Sequence, residues 1–226
     1  DFTEWETIEE TSCTKEGITQ RRCKICGFTE TKKLDKKAHE WGTEYTVDQP
    51  ATFAADGSKS IHCKNCETIS EAIAIPRINS VKISATAYTY SGGVKTPAVT
   101  VKDANGNALH NKTDYIVQYA SGRKNVGTYK VIVSLKDNYS GKKTLSFTIN
   151  PKGTAISSLS KSKKAFTAKW KKQSAQTSGY QLLYSTNSKF KSRNKYVTVS
   201  SYKTTSKTIK KLAAKKKYYV KIRTYK

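Results

Sequence analysis

Residues 127–150 read GTYKVIVSLKDNYSGKKTLSFTIN. Tyr129, Val131, Val133 and Leu135 fall on every second position, and so do Leu145, Phe147 and Ile149. A two-residue period puts each set on one face of an extended chain, whereas an amphipathic helix needs apolar residues three and four apart. Between the two runs stands Asn138-Tyr139-Ser140-Gly141, which is turn chemistry, and Pro151 stops the second run. The stretch therefore predicts two β-strands joined by a turn.

The same pattern extends in both directions. Upstream, Val99 and Val101 share a face, Asp103-Ala104-Asn105-Gly106 carries an Asn-Gly hairpin signal, and Tyr115, Val117 and Tyr119 alternate. Short strands at this spacing predict a small antiparallel sandwich over 80–151. Downstream, Phe166, Ala168 and Trp170 alternate, then Tyr180, Leu182 and Tyr184, then Tyr218, Val220, Ile222 and Thr224. Lys169, Lys171, Lys221 and Arg223 take the outward positions between them, so residues 152–226 read as a second sandwich.

The N-terminal part repeats itself. Shifted by 40 residues, Trp5 falls on Tyr45, Gly17 on Gly57, Cys23 on Cys63 and Cys26 on Cys66, while Cys13 meets Phe53 and His39 meets Asn79. This makes two units, 1–43 and 44–79. Units this small bury little apolar surface, so a metal staple makes physical sense. In the first unit Cys13, Cys23, Cys26 and His39 make a Cys3His set, which suits a closed structural zinc site. A disulfide between two of these cysteines is the alternative reading, and a redox-active C-x2-C is a third that lacks the surrounding βαβ pattern. The second unit keeps only Cys63 and Cys66, which read as a disulfide or the remnant of a metal pair. There Phe53 acts as an apolar plug. His62 could add a ligand, but on a strand it points away from Cys63.

These residues carry three resemblances. The Cys13-x3-Gly17 spacing, the turn at Gly27, and His39 followed by Glu40-Trp41 resemble Cys/His repeats in surface proteins of gut Clostridia and Lachnospiraceae. In those repeats an Ile-Pro precedes the His. The second unit has Ile75-Pro76, and the first has Asp35-Lys36 instead. Tyr90-Ser91-Gly92-Gly93-Val94, Pro97–Val101, Asp114-Tyr115 and Val126-Gly127-Thr128 resemble bacterial Ig-like repeats of Gram-positive surface proteins. Trp170 and the run Leu212-x5-Tyr218-x-Val220-x-Ile222 are similar to a fibronectin type III domain. That likeness implies a corner tyrosine at Tyr218 and one more strand than the chain to Lys226 supplies. Together they imply an all-β chain, elongated, with two ribbon-like units followed by two sandwich modules.

Charge is distributed unevenly. Residues 1–79 carry 11 basic and 14 acidic side chains, residues 80–154 carry 11 and 3, and residues 155–226 carry 20 and none. The last segment should set up a strong positive field. Eighteen of its twenty cations are Lys, a hydrated point charge suited to diffuse polyanions rather than one shaped anion site. Lys215, Lys216, Lys217, Lys221 and Arg223 are the candidate contacts. The bland alternative is that these lysines keep exposed strands soluble. Nucleic acid is not the expected polyanion, because the tyrosines sit at inward positions and no stacking platform is visible.

Disorder is excluded by 14 Tyr, 6 Phe and 3 Trp. No run approaches the roughly 20 apolar residues of a membrane span. The lack of an initiator Met and of a signal peptide reads as a mature or excised segment. No G-x-S-x-G, H-E-x-x-H or phosphate loop is present, and His62 and His110 have no nucleophile beside them on the same face. The expectation is a non-enzymatic, extracellular or wall-attached segment. It would engage a host protein or glycan, or serve as a spacer or accessory region that binds anionic wall polymer.

Overall fold

The computed structural model describes every residue from Asp1 to Lys226; it contains 18 strands and no helix. No helix is therefore long and apolar enough to cross a membrane. The first sheet has the order β1 (Glu6–Glu9), β2 (Gly17–Arg22), β3 (Thr29–Leu34), and the second the order β4 (Thr46–Gln49), β5 (Gly57–Ser60), β6 (Ile73–Ile75).

The 40-residue repeat is visible in the pairing. Glu6 faces Gln20 and Thr7 faces Thr19, with a bulge before Glu9 meets Ile18. In the second sheet Thr46 faces Ser60 and Val47 faces Lys59, with the same bulge before Gln49 meets Ser58. The glycines at the start of β2 and β5 are required for this. A Cβ on Gly17 would lie 2.7 Å from the Glu9 carbonyl oxygen, and one on Gly57 only 2.2 Å from that of Gln49.

The third strand breaks the exact match. Gly17 pairs with Leu34, but Gly57 pairs with Ile75, so the second unit holds one extra residue before β6. Beyond that point the offset is 41, as the bonds Lys37 N to Ser12 O and Ile78 N to Thr52 O also require. This corrects the sequence alignment. His39 corresponds to Ser80 rather than Asn79, and Ile75-Pro76 corresponds to Leu34-Asp35.

The strands β7 (Ile78–Ile83), β8 (Ala87–Thr89), β9 (Val99–Asp103), β10 (Tyr115–Tyr119), β11 (Gly127–Leu135) and β12 (Lys142–Asn150) follow. They form a two-stranded sheet β7-β9 and a four-stranded sheet β10-β11-β12-β8. The alternation read in 127–150 sets the core, since Val131, Phe147 and Ile149 are buried together under Tyr88, Val117 and Tyr129. One expectation is corrected here. Strand β8 joins β12 in parallel, so the sandwich is not wholly antiparallel. The Asn-Gly signal forms its turn: Gly106 N–H donates to Asp103 O with φ at +87°, and Lys102 bridges to Ala108.

The remaining strands are β13 (Ile156–Ser162), β14 (Ala165–Trp170), β15 (Gly179–Ser185), β16 (Lys195–Val199), β17 (Ser206–Ile209) and β18 (Tyr219–Tyr225). They make two three-stranded sheets, β13-β14-β17 and β16-β15-β18. Between them lie Phe166, Ala168, Trp170, Tyr180, Leu182, Val199 and Ile209, with Tyr218, Val220 and Ile222 packed against them. Tyr218 holds a corner, its hydroxyl accepting from Ala213 N–H five residues upstream at 3.2 Å.

The chain divides into two compact units, Asp1–Val81 with Val101–Ile116 and Ser134–Lys142, and Lys82–Thr100 with Val117–Val133 and Lys143–Lys226. The sheets β1-β2-β3 and β4-β5-β6 lie wholly in the first unit.

Candidate metal centre and basic cleft

All five cysteines are free thiols. Cys13, His39, Cys63 and Cys66 converge, with one ligand atom of each lying within 4.8 Å of every other. This regroups the set expected from the sequence. Cys13 and His39 of the first unit meet the C-x2-C of the second unit, and Cys23 and Cys26 stand outside the cluster. Cys63 and Cys66 are neither a disulfide nor an isolated pair. His62 is not in the set either, because its Nε2 lies 2.7 Å from Asp48 Oδ1.

Local structure explains each placement. Cys13 sits in a tight turn in which the Ser12 hydroxyl accepts from Thr14 N–H and Lys15 N–H. Lys37 N–H donates to Ser12 O and ties that turn to the segment leading to His39. His39 is delivered by an extended stretch alongside the second C-x2-C. Trp41 bridges to Cys63, Lys64 N–H donates to Glu40 O at 2.8 Å, and Gly42 N–H donates to His62 O at 2.9 Å. The Glu40 carboxylate clamps the same loop, accepting from Lys64 Nζ at 2.7 Å and Asn65 Nδ2 at 3.2 Å. These contacts hold the Glu40 carboxyl below its ordinary range, Lys64 first among them. The His39 ring also stands 5.1 Å from the ring of Trp41.

Two edges of the cluster fit a four-coordinate ion, and every other edge lies within 4.8 Å. Zn–S bonds of about 2.3 Å and Zn–N bonds of about 2.0–2.1 Å in a tetrahedron imply S···S edges of about 3.8 Å and S···N edges of about 3.6 Å. Cys13 Sγ lies 3.9 Å from Cys63 Sγ, and Cys66 Sγ lies 3.4 Å from His39 Nδ1. A disulfide would need about 2.05 Å. Cys13 and Cys63 are buried, and Cys66 and His39 are half-buried.

The protonation pattern points the same way. Hydrogen bonding to Cys66 first, and burial next, push the Cys13 thiol up to about 11. Cys66, accepting from Cys13 and then from Thr68, goes down to about 6. The Asn65 backbone N–H lowers Cys63, and a hydrogen bond to Cys63 raises His39. A soft divalent cation at the centre would bind all three cysteines as thiolates and displace whatever thiol protons remain. Three thiolates and one imidazole close the tetrahedron and leave no position for substrate, so this donor set suits a structural ion.

The basic candidates divide between two separate places. Lys215, Lys216 and Lys217 line a cleft of about 420 Å³, together with Lys161 and Lys164 and the apolar Leu159, Phe166 and Leu212. Leu212 N–H donates to Lys164 O across its end. Lys221 and Arg223 line a separate surface, with Gln181, Leu183 and Tyr196. Lys221 Nζ stands 4.4 Å above the Phe190 ring, and Arg223 Nε donates to Gln181 Oε1 at 2.8 Å. Sequence reading missed Lys161 and Lys164, which no spacing rule connects to Lys215.

No protein-family model matches the chain, and no curated protein does. Among solved structures, the FN1–FN3 domains of chicken CNTN1 align with 93% of this chain and 72% of that one, at 12% identity and a TM-score of 0.31. The all-β assignment rests on the strands themselves.

Proposed function

We propose that this chain is a non-enzymatic, extracellular binding segment of a Gram-positive surface protein. Its two ribbon units are locked together by a structural zinc ion on Cys13, His39, Cys63 and Cys66. Residues 80–151 and 152–226 act as Ig-like and fibronectin type III-like modules, the second of which presents the binding face to a host glycan or protein. The observation that carries this reading is the cleft at Lys215–Lys217, where five exposed lysines surround apolar side chains in a segment with no acidic residue. An anionic ligand with an apolar face, such as a sulfated or sialylated glycan or an acidic loop of a host protein, matches that lining.

A second reading, attachment to an anionic wall polymer, is favoured by the spread of cations over two separate surfaces of the segment. Immobilised 1–226 exposed to mucus and serum at about 0.5 M salt separates the two, since the Debye length is then only about 4 Å. A partner retained under those conditions supports the specific adhesin. Binding to wall polymer at low salt, with nothing retained at high salt, supports the second reading and overturns the first.

A further inference from the structure

The structure assigns Cys23 and Cys26 to one half of a second metal site, to be completed by a Cys and a His from another unit of the same repeat. The inference rests on the reading of Cys13, His39, Cys63 and Cys66 as a metal centre and extends it to a pair that centre leaves unused.

The two C-x2-C loops are built alike. Cys23 N–H donates to Phe28 O, and Cys63 N–H donates to Thr68 O, in the same five-residue loop. The strand alongside each loop is built alike as well. Lys24 N–H donates to Asp1 O at 2.9 Å, as Lys64 N–H donates to Glu40 O at 2.8 Å. Lys24 Nζ pairs with the Asp1 carboxylate, as Lys64 Nζ pairs with Glu40. Phe2 bridges to Cys23, as Trp41 bridges to Cys63. Asp1 therefore stands where Glu40 stands and Phe2 where Trp41 stands. The position directly before Asp1 is the counterpart of His39, the residue that ligates the second loop.

The surroundings of the first loop match a surface built to be covered. Cys26 is exposed beside Ile25 and Phe28, which are 85% and 63% accessible. The second unit has Asn65 and Thr68 at those places, and Asn65 is engaged by Glu40 of the first unit. The donors run in one direction only. The second unit carries Phe53 in the turn that holds Cys13 in the first, with the Thr52 hydroxyl accepting from Ala54 N–H and Ala55 N–H as Ser12 does from Thr14 and Lys15. Phe53 lies against Gly141 instead of reaching toward a metal. Each unit's Cys and His thus serve the C-x2-C of the unit that follows, and the second unit ends the series with an apolar plug. A divalent ion bound there would displace one thiol proton each from Cys23, Cys26 and the added Cys, and the added His would complete the four ligands as a neutral imidazole.

Cobalt binding to two chains tests this, 1–226 and the same chain with a copy of residues 1–39 joined ahead of Asp1. The expected result is one tightly held ion for the first and two for the second, with Cys26→Ser at the original position returning the longer chain to one. With metal loaded, a thiol reagent should modify Cys23 and Cys26 in the shorter chain and spare them in the longer. A smaller change guards against misfolding of the long chain. One His placed before Asp1 should tighten cobalt binding at Cys23 and Cys26 at least about tenfold relative to one Ala there. A longer chain that still holds one ion with its C-x2-C thiols reactive, together with no difference between His and Ala, overturns the proposal. So does a metal-linked dimer of 1–226 holding an extra ion between copies. If 1–226 binds no ion at all, the failure lies with the first metal centre instead.

Discussion

Replacing Cys63 and Cys23 by Ser, one at a time, separates the two ligand sets that the sequence allows. Both sets are Cys3His, so the cobalt spectrum and stoichiometry of the unaltered chain are the same for either, and only the identity of the lost ligand discriminates. Cys63 Sγ is 3.9 Å from Cys13 Sγ, one edge of the tetrahedron, and its backbone is fixed by the bridge to Trp41 and the bond to Thr68 O. The loop cannot shift to bring the harder serine oxygen in without breaking those pairings. Substitutions of residues that merely hydrogen-bond a metal's ligands already weaken binding by about 10–100-fold, so loss of a ligand itself should exceed roughly 100-fold here. The thiolate-to-cobalt charge-transfer band should fall by about a third, as three thiolates become two. Cys23→Ser should change neither affinity nor band.

The assay is competitive titration of cobalt-loaded protein against a chelator of known affinity, with the spectrum followed throughout. Equal folded content of the two variants without metal, from circular dichroism, guards against trivial unfolding. Weakened binding in Cys23→Ser with full affinity in Cys63→Ser would refute the geometry and restore the set within one unit.

Four further outcomes follow from other parts of the molecule. Tyr180→Phe should destabilise the C-terminal sandwich by about 2 kcal/mol in urea unfolding, because the hydroxyl of this fully buried residue accepts from Gln173 N–H and donates to Tyr202 O, and both would lose their partner; an unchanged midpoint would refute it. Gly57→Ala should destabilise the ribbon pair more than Gly17→Ala, since the added Cβ meets backbone at 2.2 Å rather than 2.7 Å, and a smaller effect at Gly57 would be contrary. His62 and then Ser60 hold the Asp48 carboxyl below its ordinary value. That depressed folded-state pKa gives stability fully present above the unfolded value of about 3.9 and lost as pH falls through the folded one, so Asp48→Asn should flatten the acid limb of stability against pH. Joint replacement of Lys215, Lys216 and Lys217 by Ser should lower the salt needed to elute the chain from a sulfated-glycan column by more per charge removed than replacing Lys221 and Arg223 does. Equal shifts per charge would mean that charge alone is read.

Much of the fold was legible because its strands bury one face. Phe166, Ala168 and Trp170 are inward and buried, as their alternation required, and Lys169 between them is exposed. The same holds for Val131 and Val133. The parallel edge β8 was not legible, because Ala87–Thr89 is only three residues long with no clear alternation. The extra residue before β6 was hidden too. Cys63 and Cys66 align at an offset of 40, and nothing in Thr68–Ile73 marks where the offset becomes 41.

The ligand set shows what spacing can and cannot establish in a tandem repeat. Cys13, Cys23, Cys26 and His39 lie in one unit and have the right chemistry, so spacing alone closes them on one another. A repeat offers every donor a second address, the same loop 40 residues on, and sequence distance does not choose between them. Geometry chooses, because the extended segment His39–Gly42 pairs with His62–Lys64 and carries the imidazole across the boundary. One sequence signal did point there. The second unit lost the counterparts of Cys13 and His39 together and kept both cysteines of its C-x2-C. A closed site inside each unit would leave that pair without purpose and free to drift. If each unit's donors serve the next, the terminal unit must keep its C-x2-C and has no use for donors of its own. The pattern that reads as a decayed metal site is then the pattern required of the last member of a metal-linked series.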